Sequence, residues 1–372
     1  MSPTTFRVIS ADSHVNAPIE MWREYLPAAF RDRAPRLERT DEGDFEVFEG
    51  QRKPISRMAA QAGTRPEEYT TTVRRFDEVR PGGWDPATRI EDQEIDGVDA
   101  EVLFGSVGEA PLGSADPALA RASFTAYNRW LADFCRHDPA RLIGMAYIPC
   151  DDPDDAIKEA RDAASWGLRG AVIPHVPGTG EWRDEAWAPF FRTLTELGWA
   201  AHLHVSSGNR RLRPAGSSSP GFGRGDEFMN HLVNTKLEMP LSLGKLVLGG
   251  VLAAHPDLKV VSVEGQIGWV PFWKYYIDHV YEKHRWWTQT HLPERPSFYA
   301  DRQVWFTFME DPPGIEARHR CGIERIMWSN DYPHSETTWP HSQKIVSDIF
   351  ESVPADEVRR IVRENCQELY GI

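Results

Sequence analysis

Short apolar runs of four to six residues recur along the chain and alternate with longer stretches in which apolar side chains return every three to five positions. The short runs lie at residues 7–10, 100–104, 144–148, 170–173, 200–204, 259–263, 303–308 and 325–328. They read as strands. The longer stretches read as helices. Residues 116–137 open on Asp-Pro and carry Leu119, Phe124, Tyr127 and Leu131 at helical spacing. Residues 153–166 and 184–197 repeat the pattern, 226–254 are long enough for two helices broken near Pro240, and 269–284 give another. Eight strand–helix alternations predict an α/β fold, a parallel (β/α)8 TIM barrel that fills residues 1–372 as one domain. A doubly wound open sheet competes with it, but such a sheet usually carries a glycine-rich phosphate loop after its first strand. Here that strand runs into ADSHVNAP, which has no glycine.

Three stretches depart from the repeat. Residues 31–83 are polar, charged and rich in Pro and Gly, and read as an insertion or cap after strand 1. Residues 209–225 contain GSSSPGFGRG and read as a loop after strand 5; residues 284–302 read as a Trp- and Pro-bearing loop before strand 7. Loops that follow strands lie at the C-terminal mouth of a barrel, where active sites sit.

Composition narrows the function. With 41% hydrophobic and 26% charged residues, the 372-residue chain has ample material for a core. Lys and Arg number 42 against 56 Asp and Glu, a formal charge of −14, which makes a nucleic-acid partner or an anionic membrane a poor expectation. The longest apolar stretch, 246–254, is too short to span a bilayer, and MSPTTFRVIS lacks the charged and apolar regions of a signal peptide. Cys135, Cys150, Cys321 and Cys366 form no CxxC pair, which argues for reduced thiols in a cytoplasmic protein and against a cysteine-based zinc site.

Groups able to bind metal gather at the strand ends. Asp12 and His14 follow strand 1, and residues i and i+2 of an extended segment point the same way. Strand 5 ends in His202 and His204, strand 6 at Glu264, strand 7 in Glu310 and Asp311, and strand 8 in Asn330 and Asp331 with His334 beyond. Each has a plain structural alternative: Asp12 as a helix cap, His202 as a packed residue lower in the barrel, Glu264 as the partner of a buried arginine. A mouth that collects Asp12, His14, His204, Glu264 and Asp331 is best explained by a divalent cation.

Four stretches, VISADSHVNAP, GGWDPATRIEDQEIDGVDAEVLF, HPDLKVVSVEGQIGWVPF and IMWSNDYPHSETTWPHS, resemble the amidohydrolase-related proteins of the aminocarboxymuconate-semialdehyde decarboxylase type. The resemblance implies a (β/α)8 barrel whose metal is held by an HxH pair on strand 1, a His on strand 5 and an Asp on strand 8, with a His on strand 6 that helps to activate water. Carried over, these positions are Asp12 and His14, His204, Asp331, and Glu264. Two depart from the family pattern: Asp12 and Glu264 each put a carboxylate where an imidazole is usual.

Two imidazoles and up to three carboxylates form a harder donor set. Zn2+ fits with an open position for water, and Mn2+ or Fe2+ becomes more plausible than in a histidine-rich site. Three anions over-neutralise one divalent ion. Protonation of Glu264, a cation beside it, or a second metal, with His175, His284 or His334 as extra ligands, would restore balance. Strand 4, GAVIPHV, has no lysine to be carboxylated as a bridge. The expected roles follow: Asp331 takes or relays a proton, Glu264 shuttles it or orients water, His334 acts beside them, and His175 and His202 contact a small-molecule substrate. Arg210, Arg211 and Arg213 are candidates to grip its carboxylate. The leading function is a metal-dependent hydrolase or nonoxidative decarboxylase of a small carboxylate-bearing or cyclic substrate. The alternatives are an oxygen-activating hydroxylase with one or two iron or manganese ions, and a metal-binding scaffold subunit paired with an active homologue. A homo-oligomer, or a hetero-oligomer with a homologous subunit, is expected, with Trp286-Trp287 either an interface patch or a packed lid.

Overall fold

The computed structural model describes residues 7–55, 60–70, 75–107, 109–206 and 225–372. The three arginines at 210, 211 and 213, and most of the loop predicted at 209–225, lie outside the described residues. All eight strands expected from the apolar runs are present, and helices are interspersed among them. The chain divides into two compact units.

The first unit comprises Met1–Tyr147, Asp162–Arg169 and Ser329–Ser347. It holds β1 (Val8–Asn16), β2 (Arg36–Thr40), β3 (Gly43–Phe48), β4 (Gln51–Pro54), β5 (Val98–Val107), β6 (Leu142–Gly144) and β7 (Ala146–Tyr147). β1, β5 and β6 form a parallel sheet in that order. β1 is longer than its apolar run predicts: Ser10, Asp12, Ser13, His14 and Asn16 belong to it and are buried. They are tolerated because a polar network receives them. Ser10 and Ser13 hydroxyls donate to Asn330 Oδ1 at 3.0 and 2.7 Å, and buried Arg89 pairs with Glu101 at 2.5 Å while donating to the His14 carbonyl at 2.8 Å. Arg89 comes from helix Pro86–Asp96, which starts where Asp85 accepts the Thr88 N–H and stops at Gly97, whose φ of 71° suits glycine. The polar 31–83 segment contains β2, β3 and β4 as an antiparallel meander.

The second unit comprises Ile148–Arg161, Gly170–Trp328 and Asp348–Ile372. Here β8 (Ala171–Ile173), β9 (Ala200–His204), β10 (Lys259–Val263), β11 (Val304–Phe308) and β12 (Ile326–Trp328) lie side by side in chain order, all parallel. Every residue of β9, β11 and β12 is buried, which accounts for apolar runs without strict alternation.

Two helices correct the sequence reading. Helix Gly225–Leu248 runs through Pro240 and ends before Gly250, at φ 80°, after which Val251–Ala254 forms a further turn. Proline inside a helix costs about 3 kcal/mol. The buried row Thr235, Met239, Ser242, Leu243, Leu246 and Val247 offsets that cost. Helix Val270–Thr288 continues past residue 284 and Pro296–Gln303 is a further helix, so only 289–295 of the loop predicted at 284–302 lies outside helices, opening at Gln289 in left-handed conformation at φ 54°. Its buried positions Val270, Trp273, Ile277 and Tyr281 keep the helical period, and the Arg285 guanidinium sits over the Tyr281 and Trp286 rings, extending the last turn. The four cysteines are free and buried. Among the described residues, no helix is long and apolar enough to cross a membrane.

Candidate metal centre

In the first unit, a bulge in β1 shapes the site. Ser10 pairs with Glu101 and Ser13 with Leu103, so the register shifts at Ala11 and Asp12. Such a shift re-aims side chains. The segment after β12 is pinned to this bulge: the Asp331 N–H donates to the Asp12 carbonyl at 3.0 Å and the His14 N–H to the Tyr332 carbonyl at 2.5 Å. Asp331 itself has φ 52°, a left-handed backbone that an aspartate adopts at some cost.

This brings four predicted residues together. His14 Nε2 lies 3.2 Å from Asp331 Oδ1 and 3.5 Å from Asp12 Oδ1. His334 Nδ1 lies 3.0 Å from the same Asp331 oxygen, and the two imidazoles stack with centroids 3.7 Å apart. Ser106 Oγ bonds His334 Nε2 at 2.8 Å. Asp12, His14 and Asp331 are buried, whereas the His334 side chain is 18% exposed and so reaches solvent. Burial pushes the Asp331 carboxyl pKa up, but the neighbouring His334 and His14 outweigh it, and the group is held far below the usual carboxylate range.

The second unit supplies another group. β9 ends in His204 and its partner β10 leads into Glu264; His204 Nε2 lies 3.5 Å from Glu264 Oε2. Glu264 also has a left-handed backbone, φ 59°, and its N–H donates to the Thr307 hydroxyl at 2.8 Å. Lys236, from helix Gly225–Leu248, places its ammonium 2.8 Å from Glu264 Oε1. Of the ways to balance the extra carboxylate, a cation beside it is thus present. Sequence reasoning passed over Lys236, and the only signal was the surplus of negative charge that demanded a partner. Ser106 and Thr307 were missed as well, since single hydroxyls carry no spacing pattern.

The tautomers show what the two histidines offer. His14 Nδ1 is 3.1 Å from the Gly105 carbonyl, and His204 Nδ1 is 2.9 Å from the Val205 carbonyl. A carbonyl only accepts, so each ring carries its proton on Nδ1 and presents the Nε2 lone pair. That lone pair faces a carboxylate oxygen in both cases. Two acceptors at such distances call for a positive charge between or beside them, a proton or a metal ion. A backbone carbonyl fixing the far nitrogen is the usual support of a metal-binding imidazole. The donor set therefore fits a divalent cation. Ligand-type atoms of His14, Asp331 and His334 lie within 4.8 Å of one another, as do those of His204 and Glu264.

Other predicted residues sit elsewhere. His202 is fully buried: Nδ1 donates to the Ala171 carbonyl at 3.2 Å, Nε2 accepts from the Tyr370 hydroxyl at 2.9 Å, and the ring stacks on Tyr370. Burial lowers its pKa to about 4. His175 bonds Ser242 Oγ at 2.5 Å and approaches Glu238 at 3.5 Å; burial, with help from the charges of His204 and Lys245, lowers it to about 4. His284 is on the exposed part of helix Val270–Thr288, where it accepts from the Trp287 indole N–H at 2.9 Å. Asp311 caps helix Pro312–Glu316.

Known proteins share this chain's features over most of its length. It is similar to a 2-amino-3-carboxymuconate-6-semialdehyde decarboxylase of Dictyostelium discoideum, 24% identical over 295 residues that span 78% of this chain and 76% of the relative. The fold resembles that of a solved amidohydrolase of Mycobacterium avium subsp. paratuberculosis, with TM-score 0.77, 20% identity and coverage of 99% and 100% of the two chains. It also resembles a 5-carboxyvanillate decarboxylase of Novosphingobium aromaticivorans, solved with manganese and 4-hydroxy-3-methoxy-5-nitrobenzoic acid, with TM-score 0.71, 19% identity and coverage of 99% and 96%. Residues 11–372 match the family model described as amidohydrolase, and the chain belongs to that family of metal-dependent enzymes.

Proposed function

We propose that this protein is a metal-dependent, nonoxidative decarboxylase of a small aromatic or cyclic carboxylate. The observation that carries the reading is the pair of histidines, His14 and His204, each holding its Nδ1 proton on a backbone carbonyl and turning Nε2 toward a carboxylate. Further support comes from relatives that are decarboxylases, one of them holding manganese beside a nitrobenzoate. Those relatives do not favour the oxygen-activating hydroxylase or the inactive scaffold. The reading includes closure of the eight parallel strands as one (β/α)8 domain.

Asp12, His14 and Asp331 would hold the cation in the first unit, and His204 is a donor of the same kind in the second. Glu264, expected among the ligands, is assigned instead to a pair with Lys236 that orients water or the substrate. Carboxylate and imidazole donors together suit Mn2+ as well as Zn2+. When bound, the cation supplies charge that orients and polarises the substrate. The protein's own groups then manage one proton. The bond between ring carbon and carboxylate breaks, its electron pair stays on the ring carbon, and carbon dioxide leaves. His334, poised between Asp331 and Ser106, delivers a proton to that carbon and is recharged from solvent. Asp331, an anion throughout, keeps His334 in place. His175, just beyond β8, is assigned to the substrate side, whereas His202 is assigned to the core, since both its ring nitrogens are engaged by protein groups.

The test is turnover of hydroxybenzoate-type acids by protein loaded with Mn2+ or Zn2+, run in deuterium oxide. One deuteron at the vacated ring position per carbon dioxide released, without oxygen uptake, is expected. Oxygen consumption coupled to product, or ester or amide hydrolysis without carbon dioxide, would overturn the reading.

A further inference from the structure

Helix Pro86–Asp96, in the first unit, turns a polar face inward. Its buried residues are Arg89, Asp92, Gln93 and Asp96, at i, i+3, i+4 and i+7. A helix that packs on a sheet ordinarily fills that row with apolar side chains. Burying charge costs stability unless partners receive it, and well-packed apolar groups would hold the helix at least as firmly. The row therefore serves something other than adhesion, and its hydrogen bonds show what.

Two of the four reach the residues that flank Asp331. Asp92 accepts the Tyr332 hydroxyl at 2.5 Å, and Arg80 steadies the same carboxylate, with Nε 2.8 Å from Oδ2. The Arg89 guanidinium lies 4.3 Å from the centre of the Tyr332 ring. Gly82 leaves room for this contact: a Cβ there would collide with Asp92 Oδ2 and the Tyr332 hydroxyl. On the other side, Asp96 accepts the Asn330 amide at 3.3 Å and is itself held by the Ser342 N–H at 2.9 Å and hydroxyl at 2.5 Å. Asp331, at φ 52°, is thus a strained residue between two anchored neighbours. Such a backbone persists only when its surroundings fix it, and a small rotation would carry the carboxylate away from His14 and His334. We infer that the polar face of helix Pro86–Asp96 sets the direction of the Asp331 carboxylate, Asp92 acting through Tyr332 and Asp96 through Asn330, and thereby sets how tightly the first unit holds its cation. Asp92 and Asp96 are positioning residues, since they act on Asp331 through its neighbours. The inference rests on the reading of Asp331 as a cation ligand.

The experiment is titration of the metal-free full chain with Mn2+, followed by calorimetry and by the electron paramagnetic resonance of the bound ion, for the wild type, Tyr332→Phe, Asp92→Ala and Gly144→Ala. The phenylalanine keeps the ring and removes the bond to Asp92. Tyr332→Phe and Asp92→Ala should each bind Mn2+ about 10–100-fold more weakly and alter the spectrum of the bound ion, since one of its ligands has turned. Gly144→Ala crowds Leu168 and Cys135 in the same unit, so it lowers stability without touching the clamp and should bind as the wild type does. Asp92→Ala reads the clamp if Tyr332→Phe fails to fold. A wild type that binds neither Mn2+ nor Zn2+ would overturn the proposed function and this inference with it. Folded Tyr332→Phe and Asp92→Ala with wild-type affinity and spectrum, or an equal loss in Gly144→Ala, would overturn the inference alone.

Discussion

Asp331 concentrates the most chemistry on one side chain: a left-handed backbone, a buried carboxylate, and two imidazoles on one oxygen. Asp331→Asn keeps the shape and removes the charge, so turnover should fall by ~10²–10⁴-fold with the thermal transition retained. Full activity in that variant would refute the assigned role. His202 allows a separate test away from the reaction. Its folded-state pKa is about 4 against 6.5 for a free imidazole, so it adds stability that is complete above pH 6.5 and is lost as pH falls through 4. Asp96 has the opposite sign: burial raises it to about 6 from 3.8, so its contribution is complete below 3.8 and is lost as pH rises through 6. Denaturant titrations should show the wild-type advantage over His202→Asn growing between pH 4 and 6.5, and that over Asp96→Asn shrinking between pH 4 and 6. Parallel curves would show that these groups do not titrate as assigned. The carboxylates and imidazoles were legible in the sequence because apolar runs marked where each strand ended. Lys236 was not, because it lies in mid-helix and reaches Glu264 across 28 positions.

At the level of elements, the apolar runs were a good guide to strands, since a strand covered on both faces leaves little room for polar residues. They failed at the end of β1, where a buried hydrogen-bond network takes the place of apolar packing and the strand continues past the apolar run. They failed again at Pro240, where packing on one helix face overrides a local breaker, and at residue 284, where nothing stops the helix before Gln289. Close approach between elements also escapes any periodicity. A Cβ on Gly144, in β6, would meet Leu168 at 2.6 Å and Cys135 at 2.9 Å. Gly144→Ala should therefore destabilise by about 1–3 kcal/mol, read as a lowered unfolding midpoint in urea. An unchanged midpoint would mean that β6 packs more loosely than these distances state.

For the molecule as a whole, the consequence of the proposed cation is stability linked to metal. A ligand at a thousandfold excess over its dissociation constant adds about 4 kcal/mol, so chelation should lower the melting temperature by on the order of 10 °C, and Mn2+ or Zn2+ should restore it. A melting curve indifferent to chelator and metal would count against the cation. The family was legible from four motifs spread over the chain, but neither the substrate nor the assembly was, because both depend on surfaces built from residues distant in sequence. On helix Gly225–Leu248, Lys236 on one side grips Glu264, while Leu237 and Leu241 on the other face outward. The grip on the glutamate is thus independent of the side chains that face away from it, and exchanging either leucine for a polar residue should leave the ion pair in place.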